Sequence, residues 1–326
     1  MVYISHDITD PYFNIASEEY FLRNTTEEYL LVYVNDPSVI IGKHQNAYAE
    51  INYPFIRRNN IKVVRRISGG GAVWHDHGNL NFTFIKNGTE GELVNFRKYM
   101  MPVLEFLIKL GLDAGFQGKN TIIANGYKIS GNAEHVYKNR VIHHGTLLFD
   151  TNIMMLEEAL KVDPQKYLDK SVKSVRARVA NINEMLGSKM NFEQFRDAFV
   201  KHIMSCYPGG KISEIGNSYI RKIQQLVENK YSTRDWNFGY SPPYQFSNKA
   251  NIAGSDFIIS INVEKSLIKK IRISGNLFTT SLREKIEKGL AGVKHDEKTI
   301  AGVLEKFELN TISADIDPYE LALLFF

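Results

Sequence analysis

The chain of 326 residues has one cysteine, Cys206, so it can form no disulfide framework of its own, which fits a reducing compartment. It also has no uncharged apolar run approaching the roughly 20 residues that a membrane-spanning helix needs. The opening stretch MVYISHDITDPYFNIASEEYF carries charges and Pro11 where a secretory signal would be unbroken and apolar. There is no internal repeat, no low-complexity tract and little excess of either charge. Lys and Arg number 40 against 36 Asp and Glu, a net charge of +4. That is too small to imply nucleic-acid binding, although it suits an anionic ligand or an acidic partner. The common nucleotide fingerprints are missing too. Neither G-x-x-x-x-G-K-[ST] nor G-x-G-x-x-G can be read around Gly69, Gly70 and Gly71, since position 74 is Trp. GFQGKN (115–120) fails as well, because position 113 is Asp and Asn120 follows Lys119. The expectation is a globular protein of the cytoplasm, with no membrane and no nucleic acid among its partners.

What is present is RRISGGGAVWHDHGN, residues 65–79. Three successive glycines give up backbone entropy on folding. The stretch therefore asks for a close approach to bare backbone, or for a turn that admits no Cβ. Backbone N–H groups there can face an anion, with Arg65 or Arg66 as its charge partner; a plain turn with solvated arginines is the alternative. His75 and His77 flank Asp76. With His143 or His144 they would supply imidazoles for a metal, but nothing in the spacing demands one, and hydrogen-bonding histidines lining a pocket fit equally. Lys128, in GYKISG, follows a tight turn and precedes small residues, a place from which an ammonium reaches a phosphate or carboxylate. Taken alone it also reads as a solvated hairpin lysine. KSVKSVRARVANI (170–182) spaces four basic residues with Ser and Val, as a loop or helix with a basic face.

Periodicity gives the organisation. A helix is expected over 14–24 with Asn14 as cap, two strands within 28–41 around Asp36-Pro37, and a loop from Gly42. A strand is expected at 61–66, and 79–86 reads as half-buried, with Leu80, Phe82 and Phe84 on one face. A helix over 93–112 should stop at Gly111, and hairpins should turn at Asn125-Gly126 and Lys138-Asn139. Further helices are expected near 153–161, 191–206 and 213–230. Residues 235–256, rich in Gly, Pro, Ser and Asn, read as a linker to a two-stranded ribbon and two helical segments at 280–291 and 296–306. Strands joined by short turns must run antiparallel. The expected fold is therefore α/β of the α+β type, with mixed, largely antiparallel sheets flanked by helices and a small C-terminal α/β accessory domain. The expected domains are 1–245, catalytic, and 246–326, accessory.

Read jointly, four blocks resemble the lipoate–protein ligases, within the wider biotin and lipoate protein ligase group. They are RRISGGGAVWHDHGN (65–79), KISGNA (128–133), HHGTLLFD (143–150) and KSVKSVRARVANI (170–182), in the family's order. FNIASEEY (13–20), IIGKHQN (40–46) and DWNFGYSP (235–242) are lesser signatures, so the resemblance covers residues 1 to about 245. The terminal module is similar to the accessory domain of bacterial members. The resemblance implies the biotin/lipoate ligase catalytic fold and scavenging of lipoate: lipoate and ATP give lipoyl-AMP and pyrophosphate, then a carrier lysine attacks and AMP leaves. The carrier would be a lipoyl domain of a dehydrogenase E2 subunit or the glycine-cleavage H protein. Lys128 matches the catalytic lysine. Arg66, Gly71, Ala72, Val73, Trp74, His75, Asn79, Lys128, Lys173 and Arg176 match positions around ATP or the adenylate. Arg66, Ser68, Gly69, Gly70, His75, Lys128 and His144 match positions around lipoate. The 170–182 loop would close over the adenylate. Mg2+ is expected with ATP, but its ligands are unknown, because Thr121 in GKNT (118–121) stands where the family often has an acidic residue. Trp74 in place of Phe or Tyr, and Asn132 in place of Ser, are lesser departures.

Two alternatives share the fold. An octanoyl or lipoyl transferase needs a nucleophilic thiol, and Cys206 lies far from every matched block. A biotin–protein ligase fits the fold, but the motif details favour lipoate. A carrier of lipoate or nucleotide that has lost activity is a third reading, against which the retained Lys128 and glycine stretch argue.

Overall fold

The computed structural model describes residues 1–89, 91, 93–252, 254–307, 309 and 316–326. The chain divides into two compact units, each assembled from separate stretches. The first comprises Met1–Lys43, Ile61–Glu158 and Ser174–Thr233; the second comprises His44–Asn60, Ala159–Lys173 and Arg234–Phe326.

The first unit is built on an eight-stranded sheet in the order Lys211–Glu214, Val2–Ser5, Tyr29–Tyr33, Asn79–Asn87, Arg140–Leu148, Tyr127–Tyr137, Thr121–Ala124 and Ala114–Gln117. The first three strands run parallel; the rest are antiparallel, and among the last four strands the short turns require it. Pairing of 211–214 with the first strand also explains why the helix expected over 213–230 begins only at Asn217. Asn125 and Gly126 both take positive φ, 50° and 80°, which is the geometry of a two-residue hairpin turn. Beyond that turn the register slips: Ile122 pairs with Ser130, but Ile123 pairs with Lys128. Ile129, left over, is fully buried, and the bulge takes Lys128 out of the regular alternation.

One face of this sheet packs on helices Phe96–Lys109 and Phe192–Cys206 through Phe82, Phe84, Val103, Leu107, Phe195 and Phe199. Helix Pro11–Asn24 covers the other. Strand Asn79–Asn87 alternates as its sequence predicts, yet it is buried on both faces rather than one. The covering helix is the reason, since Glu18 accepts from Thr83 Oγ1 at 2.5 Å. That helix starts at Pro11, with the Asp10 carboxylate accepting from Tyr12 N. Proline's fixed φ and missing N–H suit the first turn, so Asn14 lies inside the helix and does not cap it. At the other end Arg140 Nη1 donates to Phe21 O and Leu22 O at 2.8 and 2.9 Å, a cation at the negative pole of the helix. A smaller sheet of Lys62–Arg65, Ser38–Ile41 and Val73–His75 holds the glycine stretch between its two outer strands.

The second unit has a four-stranded sheet, Tyr167–Asp169, Tyr244–Ile252, Ser255–Glu264 and Leu267–Gly275 in that order. Ile259, Ile261, Ile286, Ile300 and Phe325 join it to helices Thr280–Leu290, Glu297–Leu304 and Pro318–Leu323. The expected linker is largely structured: 235–239 form a helical turn and 244–252 a strand. Tyr244 and Phe246 are buried while Gln245 and Ser247 are exposed, a period of two that the Gly, Pro, Ser and Asn content masked. The expected ribbon consequently has two more strands. The expected domain limit at 245/246 falls inside strand Tyr244–Ile252, and the second unit also takes in His44–Asn60 and Ala159–Lys173.

Candidate active site

Strand Lys62–Arg65 and the residue after it carry two arginines into the interior of the first unit. Arg65 is fully buried and donates through Nη1 to the carbonyls of Gly42 and Lys43, at 3.1 and 3.0 Å. Arg66, 5% exposed, folds back on the loop that follows it. Its Nε donates to Ser68 Oγ at 3.0 Å and Nη1 to Ile40 O at 3.0 Å, while Nη2 reaches Gly69 O and Gly71 O, both at 2.7 Å. Burial lowers its pKa to about 10, with Glu18 opposing, so it stays cationic at neutral pH. Bare backbone is required at two points. Gly70 has φ 91°, and a Cβ on Gly42 would sit 2.1 Å from Gly70 O. A Cβ on Gly69, in contrast, would meet nothing within 4 Å.

Gly71 and Ala72 face the segment that begins at Ser174. Ser174 Oγ accepts from Ala72 N at 2.8 Å, and a Cβ on Gly71 would lie 2.9 Å from that oxygen. Further along, Lys128 N donates to Arg178 O at 2.9 Å and Ala180 N to Lys128 O at 3.4 Å. Hydrogen bonds thus join the 174–180 part of the basic loop both to the glycine stretch and to Lys128. The Lys128 side chain turns back over Gly131, whose added Cβ would meet Cε and Nζ at 3.1 Å. Burial first, then the charge of Arg66, lowers the Lys128 pKa, and no carboxylate among the described residues offsets them. Two cations so placed favour an anion between them.

Behind the glycines lies a buried polar layer. Ser68 Oγ and His144 Nε2 are 2.6 Å apart, and His144 Nδ1 is 2.8 Å from Glu18 Oε2. Glu18 Oε1 accepts from Tyr33 OH at 2.9 Å as well as from Thr83. Burial pushes the Glu18 carboxyl up, but His144 and these donors outweigh it and hold the group below its ordinary value. Arg66 Nε donates to Ser68 Oγ, and the His144 ring bridges Ser68 to the Glu18 carboxylate. His75, 4% exposed, sets Nδ1 2.9 Å from Asn35 Nδ2. Burial, then Arg66 and His144, lowers its pKa to about 3, so it is a neutral imidazole. Asn79 Nδ2 donates to Asn81 Oδ1 at 2.9 Å; among the described residues Asn79 Oδ1 and His75 Nε2 are buried without a partner. Trp74 is packed in the interior with Nε1 donating to Asp76 Oδ2 at 2.9 Å. Asp76 also accepts from Gly78 N and Asn152 N, so this pair braces the turn after Val73–His75.

The first unit therefore brings together Arg66, Ser68, the glycines 69–71, Ala72, His75, Lys128 and His144. Arg176 is exposed on the 174–180 segment. Lys173 belongs to the second unit, its Nζ 2.8 Å from Asp169 Oδ2. The histidines weighed as metal ligands separate: His77 is exposed beside Asp36 at 3.5 Å, and His143 points to the opposite face of its strand from His144. There His143 meets Glu134 at 2.8 Å, and burial lowers its pKa to about 3. Glu18 and Asp76, the carboxylates of this layer, already accept from several donors, and Thr121 is not acidic. This donor set does not fit a protein-held Mg2+ ion, which asks for free carboxylate oxygens. Among the described residues the one grouping of three possible ligands is Glu105, His202 and Cys206, on the helices across the large sheet. Sequence reasoning missed Glu18, Tyr33, Asn35 and Ser174. The sign for Glu18 was a helix with polar residues on every side, of whose 14 residues 11 are buried.

A family model described as the lipoyl protein ligase A/B catalytic domain matches residues 10–204, and one described as the bacterial lipoate protein ligase C-terminus matches residues 241–325. The chain is 40% identical over 314 residues to a lipoate-protein ligase of Bacillus subtilis, covering 95% of each chain. It is similar to the solved structure of a lipoate-protein ligase A bound with ATP, with TM-score 0.63 and 27% identity, covering 73% of this chain and 98% of that one. A bi-partite lipoate protein ligase of Thermoplasma acidophilum, described together with its E2 lipoyl domain, gives TM-score 0.64 at 26% identity, covering 73% of this chain and 96% of the other.

Proposed function

Because the chain belongs to the lipoate–protein ligase family, we propose that it joins lipoate to a lysine of lipoyl carrier domains, driven by ATP, through a lipoyl-AMP intermediate. The observation that carries this reading is that hydrogen bonds from the 174–180 segment join Lys128 to the glycine stretch whose carbonyls Arg66 holds.

A carboxylate is a poor acyl donor at neutral pH. Attack of its oxygen on the α-phosphorus of ATP releases pyrophosphate and gives a mixed anhydride, whose leaving group, AMP, is far better than hydroxide. Both reactants are anions. The Lys128 ammonium, half-buried and otherwise uncompensated, neutralises them where they meet and then the charge developing on phosphorus. One preorganised donor of this kind is worth about 2.7–4 kcal/mol of barrier. Arg66, tied to the glycine carbonyls, holds the loop and adds positive potential. The open side of Gly69, with Gly70 and Ser68 beside it, offers the apolar acyl chain a place, while Gly71, Ala72, Val73 and Asn79 line the nucleotide side with Trp74 bracing from behind. The basic loop, through Arg176, contacts phosphate and excludes water that would hydrolyse the anhydride. In the second half-reaction the ε-amine of the carrier lysine attacks the acyl carbon, the amide forms and AMP leaves with the bonding electrons. The carrier is an E2 lipoyl domain or a glycine-cleavage H protein, and the terminal region is an accessory domain. The archaeal relative's E2 lipoyl domain and the ATP-bound ligase A support these assignments. A cytoplasmic setting suits both substrates. Transfer through a thioester would need Cys206 at the site. Its Sγ lies instead beside His202 Nε2 at 3.7 Å, on the helix packed against the far face of the sheet.

Lipoate-dependent ATP–pyrophosphate exchange, run beside biotin and octanoate, tests the reading, with an acceptor domain added afterwards. Exchange is expected with lipoate; exchange with biotin alone would overturn it.

A further inference from the structure

The hydrogen bonds around His75 determine which of its ring nitrogens carries the proton. Asn14, on helix Pro11–Asn24 and fully buried, points Nδ2 at three acceptors: Ile8 O at 2.9 Å, Val34 O at 3.2 Å and Asn35 Oδ1 at 2.8 Å. Reversing this amide would press its oxygen against two backbone carbonyls, so the main chain itself fixes its orientation. Asn35, also fully buried, must then turn its oxygen to Asn14 and its Nδ2 to His75 Nδ1, 2.9 Å away. A ring nitrogen that faces an amide N–H accepts. His75 Nδ1 is therefore bare and Nε2 carries the hydrogen. That Nε2 is buried and finds no acceptor among the described residues, and its strand leads straight out of the glycine stretch. Burial first, then the charge of Arg66, opposes a second proton on the ring.

We infer that Asn14 and Asn35 are positioning residues that hold His75 as an Nε2–H donor toward an oxygen of the bound acyl carboxylate or anhydride. The identity of that acceptor rests on the ligase reading above; the tautomer does not. A neutral donor stabilises negative charge gathering on oxygen without surrendering its proton. An imidazole of the opposite tautomer would present a lone pair to the same oxygen.

The test uses the full-length chain labelled with 15N-histidine. Long-range 1H–15N spectra, with His75 assigned by loss of its signals in His75→Gln, should show the Nε2–H tautomer at pH 7. An Nδ1–H tautomer or an imidazolium would overturn the inference. Asn35→Asp should draw the proton to Nδ1. Lipoate-dependent pyrophosphate exchange should then fall about 10- to 100-fold, the effect of one hydrogen bond to a charged group. A reversed tautomer with exchange unchanged would remove the positioning role. Should Asn35→Asp not fold by circular dichroism, the unaltered chain still decides: adding lipoate with ATP should shift the His75 Nε2–H resonance, and an unmoved resonance counts against the role. If the unaltered chain shows no lipoate-dependent exchange at all, the ligase reading fails while the tautomer, read from the free protein, stands.

Discussion

Replacing Gly42 with alanine puts a methyl group 2.1 Å from Gly70 O and 3.1 Å from Gly70 C. Real Cβ atoms do not come within 3.0 Å of such neighbours, so the Gly70 carbonyl must retreat by at least the 0.9 Å that separates 2.1 from 3.0. Arg66 Nη2 holds the carbonyls on either side, Gly69 O and Gly71 O, at 2.7 Å. A shift of that size between them strains one or both of these hydrogen bonds. Misplacing a reacting group by about 1 Å costs on the order of 10²-fold in rate, whereas overpacking of this kind costs about 1–3 kcal/mol of stability. Gly42→Ala should therefore remain folded and lose about 10²-fold in lipoate-dependent pyrophosphate exchange, with thermal unfolding followed by circular dichroism as the check on folding. Gly69→Ala is the matched control, because its Cβ meets nothing within 4 Å. It should leave stability within about 0.5 kcal/mol and raise the KM for lipoate while sparing that for ATP. Unimpaired exchange in Gly42→Ala would refute the argument that the glycine loop positions the reactants.

Lys128→Met should lose about 10²–10³-fold in exchange and yet raise the thermal stability of the ligand-free protein at pH 7. Burial and Arg66 hold the ammonium's pKa below its ordinary 10.5, so the charged form is penalised on folding. The penalty is complete below the folded pKa and fades as pH rises toward 10.5, and the advantage of the variant in chemical denaturation should shrink over that range. Glu18→Gln should lower stability by about 1–3 kcal/mol at pH 7. The carboxyl is held below its ordinary 4.5, so its contribution is present above that pH and is lost as pH falls through the folded value; the gap between the two proteins should narrow there, and a gap that widens would contradict the pairing with His144. Gly126→Ala, at φ 80° on an exposed turn, should cost about 1–2 kcal/mol without altering exchange per folded molecule.

Much of this was legible in sequence because it rests on local chemistry. Asn125-Gly126 announced its hairpin, and the alternation in NLNFTFIK gave the right strand. What local reasoning could not see was the partner on the other face: Thr83 and Asn81 look solvent-bound until helix Pro11–Asn24 is laid over them with Glu18. Asn14 was read as a cap for the same reason, since its true neighbours, Val34 and Asn35, lie about twenty residues away in the chain. Residues 244–252 were taken for linker because composition spoke louder than the alternation of Tyr244, Phe246 and their exposed neighbours. At the site, spacing alone did not reveal one task of Arg66: its guanidinium holds the carbonyls of Ile40, Gly69 and Gly71. Lys173 and Arg176, three positions apart, fall in different units, a division no spacing rule reveals.

Both units are discontinuous, and the chain crosses between them after Lys43, Asn60, Glu158, Lys173 and Thr233. A cut between the two matched family regions would remove Arg234–Phe326 and leave two excursions bare. Tyr167–Asp169 would lose its pairing with Tyr244–Ile252, and Tyr48 and Tyr53 would lose the rings of Phe238 and Phe326. These excursions continue directly into Lys43, whose N–H holds Ser68 O at 2.8 Å, and into Ser174, whose hydroxyl holds Ala72 N. Splicing at one point does not yield a portable module. A grafted or minimised version would need both excursions resurfaced, or replaced by short bridges that keep the ends at Lys43 and Ser174 where they are.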